Sequence, residues 1–540
     1  MFELIARDAA GRLGKLKTPH GTVLTPTLMP VYNPNIPLIP ADELENEFKI
    51  QMLITNAYII YRTPELREKA TQGVHNLINF HRTIMTDSGA YQAWMYNMEL
   101  PITNRQIIQF EEVLEPDIAT ILDVFTETND HDVAQIGVEK TIKAAKECVE
   151  IRQKENILWA APVQGGQFLD LLEYCAKELS LLDFQIHPLG TLAPALQKYN
   201  FKQVAETILV TKKNLNPARP LHGFSIGHPI FFALAVAIGV DLFDSSAYAL
   251  FAKDNRYLTV NGTLRFESLE EFPCVCPVCV KYTPQDMKEM DEAQRSYLLA
   301  KHNLYVTLEE IKRIHVAIRE NCLWELVQER IRAHPSLIEA LTYVLANYSK
   351  FFLKYDPLIK KSGFFYSGPE SLLRPEVKRH EQKLIEDYTP PPEMEILLLF
   401  PDLEDTFNTS SLFQTCSEMI QQLPQKDRIH VCVYSPLFGI IPEELREIYP
   451  LSQHEYPRTY DASIYHHAKS IFQKYIEKHK SCYKKIFIFR PYVYYDTENQ
   501  EKKLLIHPID AIIEDTNENF VILNTIDQLK VALEQFFDQS

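Results

Sequence analysis

The stretch Arg82-Thr-Ile-Met-Thr-Asp87-Ser88-Gly89 contains a short apolar strand that ends in a carboxylate, a hydroxyl group and a glycine. The first 250 residues contain eight short apolar segments of this kind, and helical patterns lie between most of them. The predicted strands are Thr25–Val31, Gln51–Ala57, Arg82–Asp87, Ile118–Asp123, Ile157–Val163, Phe184–Pro188, Pro220–Ile226 and Asp241–Ser245. The predicted helices include Asn104–Leu114, Asp132–Glu155, Phe168–Leu182 and Phe201–Asn214. Eight strands that alternate with helices predict the α/β class and a closed parallel TIM (β/α)8 barrel.

Polar side chains and glycines stand at the carboxyl ends of most of these strands. In barrels of this type the active site lies at that end, where the loops after the strands meet. A carboxylate alone at a strand end is common, but such residues at the ends of five or six strands indicate a site. The candidate site residues are Asp87, Ser88, Asp123, Gln164, Gly190 and Asp244.

The carboxylates among them also allow structural interpretations. Asp87 stands just before a predicted helix, where an aspartate often serves as an N-cap. Asp241 and Asp244 are three residues apart, so they point to opposite faces of a regular strand. Asp244 comes later and is the better catalytic candidate, whereas Asp241 is expected in a turn. Asp123 follows a buried apolar run, where a carboxylate needs a hydrogen bond or a ligand, and both roles remain open.

Three of the nine cysteines lie close together, at Cys274, Cys276 and Cys279, and His302 follows after a helical stretch. Three thiolates and one imidazole complete a tetrahedral zinc site with no open position, which is typical of a structural site. We therefore expect one structural Zn2+ per chain. The other six cysteines are scattered and are expected to be small buried apolar residues in a reducing compartment.

The second half of the chain has a different organisation. The run Tyr388-Thr-Pro-Pro-Pro392 predicts an extended linker, since consecutive prolines fix φ and cannot donate backbone hydrogen bonds. Further strands and helices follow it and indicate a second, smaller α/β domain. The predicted limits are 1–270 for the barrel, 271–385 for the zinc-binding insertion and closing helices, 386–394 for the linker and 395–540 for the accessory domain.

The net charge of −17 argues against a nucleic-acid partner unless positive charge is concentrated locally or supplied by another protein. The best basic cluster is expected to contact phosphates or to form a solvated helix face, and it comprises Lys360, Lys361, Arg374, Lys378, Arg379, His380 and Lys383. No apolar run is long enough to span a bilayer, and the first residues show no signal-peptide pattern. A cytoplasmic protein is expected.

Four motifs carry a family resemblance: Asp87-Ser-Gly-Ala-Tyr-Gln92, Val163-Gln-Gly-Gly166, Gly239-Val-Asp-Leu-Phe-Asp244 and the cysteine cluster with His302-Asn-Leu304. Together they resemble the tRNA-guanine transglycosylases. The stretch Asp-Ser-Ser-Ala-Tyr-Ala-Leu-Phe-Ala from Asp244 looks like the archaeosine branch of that family. The resemblance extends over about the first 380 residues and more weakly beyond them.

This resemblance implies a mechanism. Asp244 matches the nucleophile, which attacks C1′ of the target nucleoside and forms a covalent glycosyl intermediate. Asp87 matches the general acid and base. Asp123, Gln164 and Gly190 match the pocket that reads the purine edge, and Ser88 lies beside Asp87. The reaction would replace guanine at position fifteen of tRNA by 7-cyano-7-deazaguanine (preQ0) and release guanine, with no redox cofactor and no ATP.

The resemblance also implies partners. Members of this branch usually end in an RNA-binding PUA domain, which the sequence lacks, so a separate PUA-domain protein is a possible partner beside tRNA. A homodimer is implied, with the zinc region near its interface. Three alternatives remain: a paralogue that converts the inserted nitrile, a non-catalytic tRNA-binding subunit, and an unrelated zinc-stabilised barrel hydrolase. The presence of both Asp87 and Asp244 argues against the first two.

Overall fold

The computed structural model describes residues 2–90, 102–402, 411–457, 462–490, 494–495, 503–504 and 520–539. The chain divides into two compact units, Met1–Pro357 and Leu358–Ser540. Among the described residues, none of the helices combines the length and the apolar character that crossing a bilayer requires.

The strands of the first unit are β1 Phe2–Asp8, β2 Gly11–Thr18, β3 Gly21–Thr25, β4 Thr27–Pro30, β5 Met52–Asn56, β6 Thr83–Asp87, β7 Ile118–Thr120, β8 Leu158–Ala160, β9 His187–Leu189, β10 Leu221–Gly223, β11 Leu242–Ser245, β12 Arg256–Thr259 and β13 Gly262–Arg265. Its α-helices are Ala41–Asn46, Ala57–Arg62, Pro64–Lys69, Val74–Ile78, Asn104–Leu114, His131–Ile151, Leu169–Ser180, Ala193–Gln197, Phe201–Asn214, Pro229–Ala237, Ala247–Lys253, Pro277–Lys281, Pro284–Glu289, Glu292–Glu320, Leu323–Ile331, Pro335–Asn347 and Ser349–Tyr355.

Two four-stranded parallel sheets form the centre of this unit, in the orders β4-β11-β10-β9 and β5-β6-β7-β8. Isolated parallel bridges join the two sheets at both edges, from Val31 to Ile54 and from Ala160 to Ile186. Seven of the eight predicted strand segments contain one of these strands, and the eighth, Phe184–Pro188, overlaps β9, which extends one residue further to Leu189. The α/β class predicted from the sequence is therefore confirmed.

The strands pack their side chains into one apolar core, to which most of them contribute one or two residues. Its members from the parallel strands are Met29, Met52, Ile54, Met85, Ile118, Ala160 and Leu242, and Ile186, just before β9, joins them. Parallel strands in such a sheet are buried on both faces. Their sequences are therefore continuous runs of apolar residues and do not alternate between apolar and polar ones. The antiparallel sheet β1-β2-β3, which was not predicted, adds Leu16 and Val23 to the same core.

Side-chain caps explain why the limits of two helices were predicted correctly from the sequence. Helix Asn104–Leu114 has the predicted limits because Thr103 forms a capping box with Gln106. Helix Phe201–Asn214 also has the predicted limits, since the Asn200 side chain accepts the N–H of Gln203.

The second unit contains strands β14 Phe364–Phe365, β15 Ile396–Pro401, β16 Ile429–Ser435, β17 Gly439–Pro442, β18 His454–Glu455, β19 Lys485–Phe489, β20 Tyr494–Tyr495, β21 Lys503–Leu504 and β22 Val521–Leu523. Its α-helices are Pro375–Gln382, Ser411–Gln421, Ala462–His479 and Ile526–Asp538. A five-stranded sheet has the order β17-β16-β15-β19-β22, in which only β17 is antiparallel.

Side chains of β15 alternate between two cores on the two faces of this sheet. Ile396 and Leu398 face the core that holds Leu529, whereas Leu397 and Leu399 face the core that holds Phe472. The second unit is thus an α/β domain with helices on both faces, as the sequence predicted. It begins upstream of the proline run that was expected to be a linker, and the predicted domain limits stay a prediction.

Part of the predicted phosphate-contact cluster is used inside this second unit. Arg374 and Lys360 are buried and both pair with the buried carboxylate of Glu376, at 2.7 and 2.9 Å. His380 is buried against the carbonyl groups of Phe438 and Ile440. The phosphate-contact prediction is wrong for these three residues, because the charges of Arg374 and Lys360 are paired within the domain and burial lowers the pKa of His380 to about 4, which leaves it uncharged near neutral pH.

A buried ion cluster connects three elements of the first unit. The guanidinium of Arg12 in β2 donates to Asp241, just before β11, with a shortest distance of 2.5 Å. Lys212, on helix Phe201–Asn214, lies 3.4 Å from the same carboxylate, which also accepts the N–H of Leu221 at 2.8 Å. The turn role expected for Asp241 is therefore wrong. Although burial raises its pKa, the two cations outweigh that effect and lower the pKa of Asp241.

We predict that Asp241→Ala lowers the free energy of unfolding by about 3–5 kcal/mol, since it leaves Arg12 and Lys212 buried without a counter-ion. Urea unfolding followed by tryptophan fluorescence measures this, because all three tryptophans lie in the first unit. The contribution of Asp241 is present above the unfolded pKa of about 3.9 and is lost as the pH falls through its lower folded pKa.

Glu309→Ala is the control, because Glu309 pairs with Arg313 on an exposed helix face. Its loss should cost only about 0.5 kcal/mol. Equal costs for the two variants would show that the ion cluster contributes no more than a surface pair.

Candidate functional site

Asp87 is the last residue of β6, where the strand leads into Ser88 and Gly89. The side-chain amide of Asn56, the last residue of the neighbouring β5, donates to Asp87 Oδ2 at 2.9 Å. The Gly89 N–H donates to Oδ1 at 3.2 Å. Gly89 has φ of +93°, and a Cβ there would lie 2.6 Å from Tyr58, so a glycine is required for this turn.

Asp244 lies in β11, which is separated from β6 by two strands in the order β11-β4-β5-β6. The two hydrogen bonds described for it both go to Oδ1, one from His222 Nε2 at 2.9 Å and one from the Ser225 N–H at 2.9 Å. His222 belongs to the neighbouring β10 and is fully buried. This arrangement fixes the carboxylate and leaves Oδ2 for a reaction partner.

The carboxylates interact electrostatically. Burial raises the pKa of Asp87, and the negative charge of Asp244 raises it further against the hydrogen bonds from Gly89 and Asn56. A carboxyl group with a raised pKa holds a proton nearer to neutral pH, as a general acid must. Asp244 and Asp87 are therefore near neighbours with different local environments, the arrangement that separates a nucleophile from an acid.

A second group forms around Asp123, which follows β7 and is buried. Gln164 Nε2 donates to Asp123 Oδ2, and the Ser88 hydroxyl lies 3.5 Å from Oδ1. Burial and then the charge of Asp87 raise the pKa of Asp123 to about 7. The Oε1 atom of Gln164 is buried without a hydrogen-bond partner. Asp123 and Gln164 thus present acceptor atoms that a ligand with N–H groups would satisfy.

Gly190 makes room for this group. A Cβ on Gly190 would lie 2.3 Å from Gln164 Nε2, so any other residue would displace the glutamine. The N–H of Gly190 donates to the Val163 carbonyl oxygen at 3.0 Å. Its contribution to the site is therefore space rather than a free backbone donor.

The structure brings all six predicted site residues to the carboxyl ends of β6, β7, β8, β9 and β11. Tyr91 and Gln92, the end of the first quoted motif, lie outside the described residues. Sequence reasoning missed Asn56 and His222, which hold Asp87 and Asp244. Asn56 lies near the end of a predicted strand, whereas His222 lies inside one, so only Asn56 carried a signal of position. The catalytic and binding roles of the six stay predictions.

Cys274, Cys276, Cys279 and His302 form a compact group whose ligand atoms all lie within 4.8 Å of one another. Cys276 Sγ lies 3.6 Å from Cys279 Sγ, and His302 Nδ1 lies 3.5 and 3.4 Å from these sulfurs. Zinc with bonds of about 2.3 Å to sulfur and 2.0 Å to nitrogen requires such separations in a tetrahedron. The four residues therefore fit a metal ion.

The orientation of His302 supports the same conclusion. Its Nε2–H donates to the Leu258 carbonyl oxygen at 2.9 Å, which leaves the Nδ1 lone pair facing the thiols. The ring of Tyr257 stacks on the imidazole at 3.7 Å. An imidazole whose second nitrogen is bound to a backbone carbonyl is the usual arrangement around a protein-bound metal.

A comparison with known families places these observations in context. The family model described as TGT, queuine tRNA-ribosyltransferase, matches residues 8–336. A tRNA-guanine(15) transglycosylase from Methanocaldococcus jannaschii is 42% identical over 468 residues, which are 85% of this chain and 69% of that protein. The one from Methanobrevibacter smithii is 42% identical over 483 residues, 88% of this chain and 72% of that protein. A third, from Methanococcus aeolicus, is 40% identical over 510 residues, 93% and 76% of the two chains.

The matched region contains Asp87, Asp123, Gln164, Gly190, Asp244 and the four metal-ligand candidates. The resemblance inferred from the motifs is thus confirmed over most of the chain. With a family model over more than half of its length and relatives that it covers by two thirds or more, this chain belongs to the TGT family, the queuine tRNA-ribosyltransferases.

Proposed function

We propose that this chain exchanges guanine at position fifteen of tRNA for 7-cyano-7-deazaguanine, and that Asp244 and Asp87 carry the chemistry. The relatives named tRNA-guanine(15) transglycosylase support the position and the exchanged base. The observation that carries the proposal is the pair of carboxylates at the strand ends, one held by His222 and the Ser225 N–H and the other with a raised pKa.

In the first half of the reaction, Asp244 Oδ2 attacks C1′ of the target nucleoside. The C1′–N9 bond to guanine breaks as the bond between C1′ and Asp244 forms, and protonated Asp87 supplies the proton that the leaving base needs. In the second half, Asp87 accepts a proton from the incoming deazaguanine, whose nitrogen then displaces Asp244 from C1′. Two displacements at one carbon retain its configuration, as in retaining glycosidases.

Asp123 and Gln164 bind the base in this proposal. The N1–H and the 2-amino group of guanine are donors, and so are the same groups of a deazaguanine. The Asp123 carboxylate and the unpartnered Gln164 Oε1 are acceptors close to one another. The target nucleotide has to leave the tRNA stack to reach them. Ser88 positions Asp123 through its hydroxyl group.

The fold supports this placement. We infer that β4 to β11 close into the (β/α)8 barrel, because parallel bridges connect β4 with β5 and β8 with β9. The carboxyl ends of all eight strands then lie at one mouth. The Cys274 group holds one structural Zn2+, which supplies folding stability and takes no part in the exchange. A cytoplasmic location, a homodimer and a separate PUA-domain partner remain proposals from the family resemblance.

We predict that Asp244→Asn lowers guanine exchange by about 10³-fold or more, since an amide cannot form the glycosyl ester. The measurement is uptake of radiolabelled guanine into unmodified tRNA, together with a protein–tRNA adduct on a denaturing gel. Asp254→Asn, at an exposed carboxylate, is the control and should keep full activity. An adduct that persists in Asp244→Asn would exclude Asp244 as the nucleophile.

A second prediction concerns recognition of the free base. Because the pKa of Asp123 is raised to about 7, guanine binding should weaken as the pH falls below that value and the acceptor becomes protonated. Asp123→Asn should weaken binding by about 10–100-fold, the cost of an unsatisfied donor in a buried site, and should remove the pH dependence. Calorimetric titration of guanine at several pH values tests both; the same pH dependence in the variant would assign it to another group.

The zinc proposal predicts that Cys276→Ala lowers the bound zinc by one equivalent per chain and lowers the thermal unfolding temperature, since structural zinc contributes directly to folding. Metal analysis and calorimetry measure the two effects. Cys416→Ala is the control, because Cys416 is a buried thiol in the second unit with no metal-ligand neighbours among the described residues. Unchanged zinc in Cys276→Ala would show that the ion is held elsewhere.

A further inference from the structure

A second cluster of metal-ligand side chains lies at the opposite ends of the strands from the candidate active site. It consists of His20, His75 and Asp117, which we call the two-histidine cluster. His20 lies in the turn between β2 and β3, His75 lies in helix Val74–Ile78, and Asp117 lies just before β7. Three segments that are distant in sequence thus meet at the amino end of β7.

The two imidazole rings are stacked, with centroids 3.7 Å apart and planes inclined by 25°. His20 Nδ1 lies 3.2 Å from Asp117 Oδ1, and His75 Nε2 lies 3.0 Å from Asp117 Oδ2. Ligand atoms about 2.0–2.1 Å from one tetrahedral ion are separated by about 3.3 Å. The two nitrogen–oxygen distances are close to that value, and one ligand atom from each of the three residues lies within 4.8 Å of the others, so side-chain shifts would bring them around one ion.

Hydrogen bonds hold the carboxylate of Asp117 in place. Asp117 is fully buried. It accepts the backbone N–H groups of Ile84 and His20 at 2.9 and 2.7 Å. Its two oxygens are therefore fixed beside two imidazole nitrogens.

We propose that the two-histidine cluster is a second metal site, which binds a divalent transition ion of the zinc type. Two imidazoles and one carboxylate suit Zn2+, Co2+ or Ni2+, whereas Ca2+ and Mg2+ prefer oxygen ligands. The side chain of His20 is 44% exposed, which gives the ion a route from solvent and leaves a coordination position for water. His75 Nε2 also lies 3.1 Å from the Arg82 carbonyl oxygen, to which its N–H donates when no ion is bound.

Hydrogen bonds to Asp117 do not by themselves account for the presence of two histidines beside it. Asp117 already accepts two backbone N–H groups, so its burial does not require two histidines as well.

The site would have a structural effect. Leu16 and Val23, on the two strands of the hairpin that carries His20, fill the core among the parallel strands. An ion held by His20, His75 and Asp117 would fix the tip of this hairpin to β7 and to helix Val74–Ile78. Binding of an ion to the folded state alone raises the thermal unfolding temperature.

The test uses the full chain without a histidine tag, with the cysteine site first filled with zinc. Calorimetric titration with Co2+ is expected to show one further equivalent, and the visible spectrum of that equivalent should lack a thiolate-to-cobalt charge-transfer band. His20→Ala and His75→Ala should each weaken this binding by about 10-fold or more, since a ligand is lost. His81→Ala is the matched control, because His81 is exposed and pairs with Glu45.

His20→Ala alters an exposed turn, and tryptophan fluorescence together with guanine exchange reports whether it remains folded. Cobalt should raise the unfolding temperature of the wild type and of His81→Ala but not of His20→Ala. The proposal is overturned if the wild type binds no second equivalent, or if both cluster variants bind it as tightly as the wild type does.

Discussion

The buried ion pair between Arg12 and Asp241 is the contact on which the geometry of the candidate active site depends. It connects the amino-terminal hairpin to the start of β11, and Lys212 joins it from a helix. β11 begins one residue later and reaches Asp244 at its third position. Because β11 is so short, the position of its start determines where the Asp244 carboxylate lies relative to His222. The two aspartates of this motif therefore have different roles. Asp241 fixes the start of the strand, and Asp244 belongs to the candidate active site.

Three carboxylates near one another make the site electrostatically unfavourable without its ligand. The charge of Asp244 raises the pKa of Asp87, and the charge of Asp87 raises the pKa of Asp123. Such repulsion costs stability, and proteins retain it mainly where function requires it. A purine base offers N–H donors to Asp123, and a leaving base takes the proton of Asp87. Binding of the substrate thus relieves the electrostatic repulsion that raises the pKa values of these two carboxyl groups.

The sequence predicts the parts of this structure that depend on local pattern. Strand positions followed from apolar runs, and the limits predicted for helix Phe201–Asn214 from its helical pattern agree with the observed ones, where Asn200 caps the helix. The antiparallel strands β1 to β3 were missed; only one of the seven residues of β1 is buried, and its apolar run, Leu4 to Ala6, is only three residues long. The partners of the acids were also missed. Asn56 is 31 residues from Asp87, and His222 is 22 residues from Asp244, so their pairing depends on strand neighbours that no local pattern specifies.

The charge distribution shows why a bulk property is a poor guide to a nucleic-acid partner. A net charge of −17 opposes binding of a polyanion, and the cluster around Arg374 does not compensate for it, because Arg374 and Lys360 neutralise the buried Glu376. Basic residues that are close together in the sequence, and so predict a basic surface, can instead be buried in the fold as counter-ions of an acidic residue. Family membership nevertheless implies a tRNA substrate. We expect attraction to the phosphate backbone to come from local groups such as Lys361 and Lys383, both exposed. Because the salt dependence of binding scales with the number of phosphates that are neutralised, a few such contacts predict only a shallow dependence on salt.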